Sequence, residues 1–148
     1  MAIVNKKALF NYEPLEKYRA GLELTGQEVK SIRQGHGSLA GSYITIKAGQ
    51  PFLIGAQVPA YQPNNNTLEY DPARDRKLLL QKAEIKELIG HLSRPGLTAI
   101  PLKLYNSGRW LKLELAVARG KKEHDKREVI KKREAQREIS RTLKNRYK

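Results

Sequence analysis

The chain has 148 residues, 29 Lys/Arg against 15 Asp/Glu for a formal net charge of +14, and no cysteine. That length allows one compact core, and the lack of thiols excludes disulfides and thiolate metal sites. No run approaches the roughly eighteen apolar residues of a membrane span, and Met1-Ala2-Ile3-Val4-Asn5-Lys6-Lys7 lacks a secretory apolar segment, so a cytoplasmic protein is expected.

In chain order, Thr25-Gly26-Gln27-Glu28 has the Thr-x-x-Glu spacing of a capping box, and Gly35 and Gly37 close the turn after it, predicting a helix over 25–34. Tyr43–Lys47 and Phe52–Ala56 are β-rich runs joined across Ala48-Gly49-Gln50-Pro51, which predicts a hairpin. From Pro59 to Pro72, with Pro63-Asn64-Asn65-Asn66 at its middle, the chain reads as a surface loop. Arg76-Lys77-Leu78-Leu79-Leu80 reads as a basic lead-in to a buried strand. Ile85, Leu88, Ile89 and Leu92 follow at i, i+3, i+4 and i+7, the signature of an amphipathic helix ended by Ser93 to Gly96.

Two alternating strands come next, with Ile100, Leu102 and Leu104 on one face of the first and Leu111, Leu113, Leu115 and Val117 on one face of the second. Asn106-Ser107-Gly108 joins them, Trp110, Lys112 and Glu114 take the opposite face, and Pro101 marks an edge or a bulge. The expectation is five or six strands with two or three short peripheral helices: a mainly β chain forming a small oligonucleotide-binding (OB)-like antiparallel barrel, with an open α+β sheet as the alternative. The barrel domain is assigned to 1–118. Residues 119–148 form a basic C-terminal tail with helical propensity but a narrow apolar stripe, expected to be disordered when free.

The tail holds thirteen Lys/Arg against five Asp/Glu, a net +8 of the chain's +14. Such a division points to a polyanion, because each cation set on a phosphate releases condensed counterion; otherwise it is a solvated extension. Further basic groups are Asn5-Lys6-Lys7, Lys30 and Arg33 three apart on the first helix, and Arg74, Arg76 and Lys77. Tyr12, Tyr18, Tyr43, Tyr61, Tyr70 and Tyr105 are candidates for stacking on unpaired bases or for the core. Cations and rings together favour RNA.

Catalytic chemistry is not spelled. Gly35-His36-Gly37-Ser38-Leu39-Ala40 matches a dinucleotide motif in letters, but its strand–helix order is reversed. His36, His91 and His124 lie far apart, and Asp71, Asp75, Glu84 and Glu87 each sit beside a cation as surface ion pairs or helix-end groups. No metal-ligand spacing occurs. Asn65-Asn66-Thr67 spells a glycosylation site, which without a secretory route is a polar loop.

Three separated stretches, Gly26-Gln27-Glu28-Val29-Lys30-Ser31-Ile32-Arg33, Asp71-Pro72-Ala73-Arg74-Asp75-Arg76-Lys77-Leu78-Leu79-Leu80 and Gly120-Lys121-Lys122-Glu123-His124-Asp125-Lys126-Arg127, in this order and with these gaps closely resemble the bacterial SsrA-binding protein (small protein B) family. The resemblance covers essentially Asn5 to the tail. It implies a non-enzymatic, cofactor-free monomer that binds the tRNA-like domain of transfer-messenger RNA (tmRNA) and delivers it to stalled ribosomes. Glu28, Lys30, Arg33, Arg76, Lys77, Leu79 and Gln81 match the family's RNA-facing surface. By the same resemblance His124, Asp125, Lys126 and Arg127 lie at the decoding centre, Lys121 and Lys122 face ribosomal RNA, and the tail becomes helical in the empty mRNA channel.

The chain departs from the family pattern in having Tyr18-Arg19-Ala20-Gly21 for a common Tyr-Glu-Ala-Gly, Gln81 for a frequent His or Asn, and Ala8-Leu9-Phe10-Asn11-Tyr12 for a more basic segment. An integral ribosomal protein with a basic rRNA-embedded tail is the alternative reading, and an RNA-modifying or nucleotide-hydrolysing enzyme a third.

Overall fold

A computed structural model describes residues 2–61, 70–121 and 123–146, and within the last of these the side chains of residue 127 and residues 130–141. The chain runs β1 (Ala2–Val4), α1 (Lys6–Asn11), β2 (Tyr12–Leu22), α2 (Gly26–Arg33), β3 (Tyr43–Lys47), β4 (Gln50–Ile54), β5 (Arg76–Leu79), α3 (Lys82–Leu92), β6 (Leu97–Ser107), β7 (Trp110–Gly120) and α4 (Glu123–Arg146). All strand pairings are antiparallel, in the order β6-β3-β4-β5-β2-β7, and β7 pairs back onto β6 to close a ring. This is the OB-like barrel, and the open sheet is excluded.

Closure is uneven. β6 and β7 pair along their whole lengths, whereas β3 meets β6 at the single pair Ile44↔Ala99. β1 takes the rest of that edge of β6, with Ala2, Ile3 and Val4 opposite Tyr105, Leu104 and Lys103.

The interior holds Tyr18, Ala20, Ile44, Leu53, Leu78, Leu113, Leu115 and Val117, with Ile32 of α2 and Leu88 of α3 packed into the same cluster. Each fully buried leucine here stabilises the fold by about 2 kcal/mol. A second cluster lies outside the ring, where α1 sets Ala8 on Ile100, Leu102, Ala116 and Ala118, with Tyr12 at its margin.

The expected hairpins form as β3–β4 and β6–β7, and α2 carries the predicted capping box, Thr25 Oγ1 accepting from Glu28 N–H and Glu28 Oε1 from Thr25 N–H. Pro101 does mark a bulge, between Pro101 and Lys103. That extra residue overturns the expected shared face of β6: Ile100 and Leu102 pack under α1, while Leu104 points into the barrel.

The strand count also rises, to seven among the described residues, because β1 and β2 were not anticipated. β2 carries four charged side chains and Pro14, which disguise its alternation. Proline is tolerated there because β5 pairs only with Gly21 and Leu22, leaving that side of β2 an open edge, and a second bulge follows between Pro14 and Glu16.

β7 ends at Gly120. Lys121 then ties the start of the tail to the end of α1, its N–H donating to Asn11 O at 2.8 Å and its Nζ to Leu9 O at 3.1 Å. From Glu123 the chain is one 24-residue helix. The Arg133 guanidinium stands 5.6 Å over the Phe10 ring, so α4 meets α1 through a cation over a ring rather than an apolar stripe. Residues 63–66 of the central loop and the Asn65-Asn66-Thr67 sequon lie outside the described residues.

Candidate nucleic-acid interface

Glu28 and Arg76, expected on an RNA-facing surface, are both buried. Glu28 Oε2 accepts from Arg76 Nε at 2.7 Å, and Oε1 accepts from Arg74 Nη2 and the Thr25 N–H. Arg76 gives three further N–H donors to the carbonyls of Ala56, Arg74 and Pro72 at 2.9–3.0 Å. Such a guanidinium can be buried because four of its five N–H donors meet acceptors here, one a carboxylate and three backbone carbonyls.

Burial pushes the Glu28 carboxyl up. That push is outweighed by the bonds from Arg74 and the Thr25 N–H and by the Arg76 charge, which hold it below the usual carboxylate range. The triad fastens α2 to β5, with Glu28 and Arg76 shut away from solvent and Arg74 keeping part of its side chain at the surface. Nearby, Tyr70 Oη donates to Val58 O at 2.5 Å, and burial, then the Glu28 charge, raises its phenol.

Asn5, also expected to face RNA, is buried too. Its amide donates to Pro101 O at 2.9 Å and Leu39 O at 3.3 Å, and its Oδ1 accepts from Ala8 N–H as the N-cap of α1. Beside it, Lys7 lines a cleft of about 350 Å³ between α1, β3 and β6, together with Tyr12, Tyr43, Thr98 and Ile100. Lys6 and Lys7 are exposed.

The surface cations are therefore a smaller set. Lys30 on α2 is exposed with its ammonium 5.5 Å over the Tyr61 ring. Arg33, also exposed, donates from Nη2 to Arg109 O at 2.8 Å, joining the end of α2 to the β6–β7 turn. Arg74 is half-buried and also reaches Glu23 O at 3.2 Å. On and after β5, Lys77 is half-buried, Leu79 is 49% exposed, and Gln81 is exposed as the N-cap position of α3.

Of the tyrosines, Tyr18 is core: its hydroxyl meets Glu87 at 3.3 Å, and burial, followed by the charges of Glu16 and Glu87, pushes its phenol up to about 12. His91 Nε2 lies 2.8 Å from Glu16. Lys47 bridges Asp75. Among the described residues no group of His, Cys, Asp and Glu could hold a metal ion, and no helix is long and apolar enough to cross a membrane.

In the tail, every described side chain of α4 is exposed, Arg127 included. Lys122 and the side chains of His124, Asp125 and Lys126 lie outside the described residues. Sequence reasoning set Trp110 and Lys112 on the outer face of β7 without assigning them a role. Trp110 is 72% exposed, and as the chain's single tryptophan directed away from the core it carried a signal for surface contact.

A small closed antiparallel barrel, capped by helices and bearing exposed cations on α1, α2 and a long basic helix, defines a polyanion-binding barrel. The family model for SmpB protein matches residues 2–145. The SsrA-binding protein of Gloeothece citriformis is 46% identical over 140 residues, 95% of this chain and 90% of that protein. That of Thermosipho africanus is 50% identical over 141 residues, 95% and 94% of the two chains. A solved chain from a structure described as tmRNA-SmpB at the center of the bacterial ribosome is 40% identical with a TM-score of 0.69, covering 82% of this chain and 85% of that one. The chain belongs to the SmpB family.

Proposed function

We propose that the chain is a binding factor, not an enzyme: it takes the tRNA-like domain of SsrA RNA on its barrel and delivers it to stalled ribosomes in the bacterial cytoplasm, acting as a monomer. The observation that carries this is the match across nearly the whole chain to proteins named for SsrA binding, joined to a solved tmRNA-SmpB relative of the same fold. Of the expected set, the exposed Lys30, Arg33, Leu79 and Gln81 and the half-buried Lys77 supply phosphate contacts and an apolar rim. The buried pair Glu28 and Arg76 acts through them by fixing α2 against β5.

Residues 119–148 are the ribosome-facing tail, with Lys121 and Lys122 against ribosomal RNA and His124, Asp125, Lys126 and Arg127 at the decoding centre. A helix this polar on all sides is marginal alone in water. Its order comes from the RNA walls of the mRNA channel, which admit it only when no message occupies them, so that vacancy is what it senses.

Cutting the chain after Gly120 tests the division of labour. Binding of the tRNA-like RNA should survive and rescue of stalled ribosomes should vanish. Loss of RNA binding on truncation, or stoichiometric presence in every purified ribosome, stalled or not, would sink the reading, the second outcome in favour of an integral ribosomal protein.

A further inference from the structure

Phe10 stands in Ala8-Leu9-Phe10-Asn11-Tyr12, the stretch where this chain departs from a more basic pattern. Its ring is half-buried on α1 yet belongs to neither hydrophobic cluster, and the Arg133 guanidinium of α4 stands over it at 5.6 Å. A cation at this position would repel Arg133, whereas the face of an aromatic ring attracts it.

The tail is fastened to the same segment at two further points. Arg119 Nη2 bonds Glu13 Oε2 at 2.6 Å where β7 runs opposite β2. Lys121 gives its N–H to Asn11 O and its Nζ to Leu9 O, so that a cation closes the carbonyl end of α1, where the helix dipole favours it. Arg119, Lys121 and Arg133 are thus all engaged by residues 9–13. Arg133 lies ten residues into α4, about 15 Å along the helix axis, so α4 is held at its root and again near its middle, lying against α1. Ile130, three residues before Arg133 and therefore on the same side of the helix, is 43% exposed, against 60% for Ile139 on a different side.

We propose that residues 9–13 are a seat for the tail of this same chain, holding the first three turns of α4 in one direction in the free protein and letting go when a polyanion takes Arg133. Connectivity names the occupant, because the cations that sit there belong to the chain that carries Phe10. Charge agrees with it: a ring face, two carbonyls and the Glu13 carboxylate offer negative charge to a strongly basic segment. The hold is weak. One guanidinium over an exposed ring favours the seated state by about two- to fivefold, and the Arg119–Glu13 pair is exposed on both sides, where ion pairs contribute little. A phosphate takes the same guanidinium through two parallel N–H bonds, so a polyanion draws the tail off the ring. The seat reaches only to Arg133, and the turns beyond it still depend on the walls they enter. The seat stands independently of the RNA-binding reading; its release rests on that reading.

The chain has no cysteine, so two can be introduced without competing thiols. Ser107→Cys at the β6–β7 turn and Ala135→Cys on α4, both at exposed positions, take spin labels, and pulsed dipolar spectroscopy of the intact free protein reads the distance between them. A narrow component is expected. Phe10→Ala and Arg133→Gln should each lower the ratio of narrow to broad component by about two- to fivefold, Phe10→Tyr should keep it, and saturating poly(U) should abolish it. Arg133→Gln lies outside the barrel, so it reads the seat even where Phe10→Ala fails to fold. A wild-type distribution as broad as that of Arg133→Gln, or a narrow one that neither variant changes, overturns the seat. A narrow component that survives with poly(U) bound overturns the release, and failure of poly(U) to bind at all removes the release together with the RNA reading on which it rests.

Discussion

Glu28 and Arg76, 48 residues apart, form an ion pair shielded from water, with 2.7 Å between Arg76 Nε and Glu28 Oε2. Removing one partner strands the other charge inside the protein, so Glu28→Leu and Arg76→Met should each cost about 3–5 kcal/mol. The double variant should lose less than the sum of the two. Urea unfolding of the four proteins in a double-mutant cycle measures the coupling, and strict additivity would mean that the pair contributes nothing specific.

Acid should expose the same carboxylate. Glu28 titrates below its ordinary 4.5 in the folded chain, so the unfolded chain takes up its proton first. The stability it contributes is complete above pH 4.5 and is lost as pH falls from there through the folded value. Glu28→Gln should flatten that part of the urea midpoint against pH, and an unchanged slope in the variant would assign the acid sensitivity to other groups.

At the alkaline end the sign reverses. Tyr18 ionises at about 12 in the fold against 10.0 ordinarily, so the unfolded chain releases the proton first. Stability from this group is complete below pH 10 and is lost as pH rises from 10 towards 12. Tyr18→Phe should remove that part of the alkaline loss, read as the difference between the two pH profiles.

Asn5→Ala should cost about 2 kcal/mol or more, because it takes the buried amide donor from the Pro101 carbonyl, leaves the Leu39 carbonyl with Ser42 alone, and uncaps α1. Its melting temperature should fall while its affinity for the tRNA-like RNA, measured well below that temperature, stays at the wild-type level. Weaker RNA binding at unchanged stability would return Asn5 to the surface role expected from its basic neighbours.

What the sequence made legible was whatever depended on local chemistry. Thr25 and Glu28 announced α2 because a capping box is satisfied within four residues, and the period-two leucines of β7 announced a strand. β2 was hidden because its core contributions, Tyr18 and Ala20, are interleaved with Lys17 and Arg19, whose partner Glu114 is distant in sequence. The reversal of face within β6 depends on a bulge whose presence Pro101 suggested but whose effect on Leu104 only the pairing with β7 determines.

The site divided along the same line. Exposed cations on a helix, Lys30 and Arg33, could be placed from spacing. Asn5 and Arg76 looked like surface groups because their composition is polar, and their burial rests on carbonyls of Leu39, Ala56, Pro72 and Pro101 that no side-chain pattern encodes. The adjacency of Trp110 to α2 follows from one bond to a backbone carbonyl, equally silent in the sequence.

The pairing of β1 with β6 and of β2 with β7 joins the first 22 residues to strands that are not finished until residue 120. During synthesis the amino-terminal strands must therefore wait, without their ladder, until almost the whole barrel has emerged. Contacts of such long sequence separation make folding slow, and the newborn chain carries an exposed strand edge through that interval.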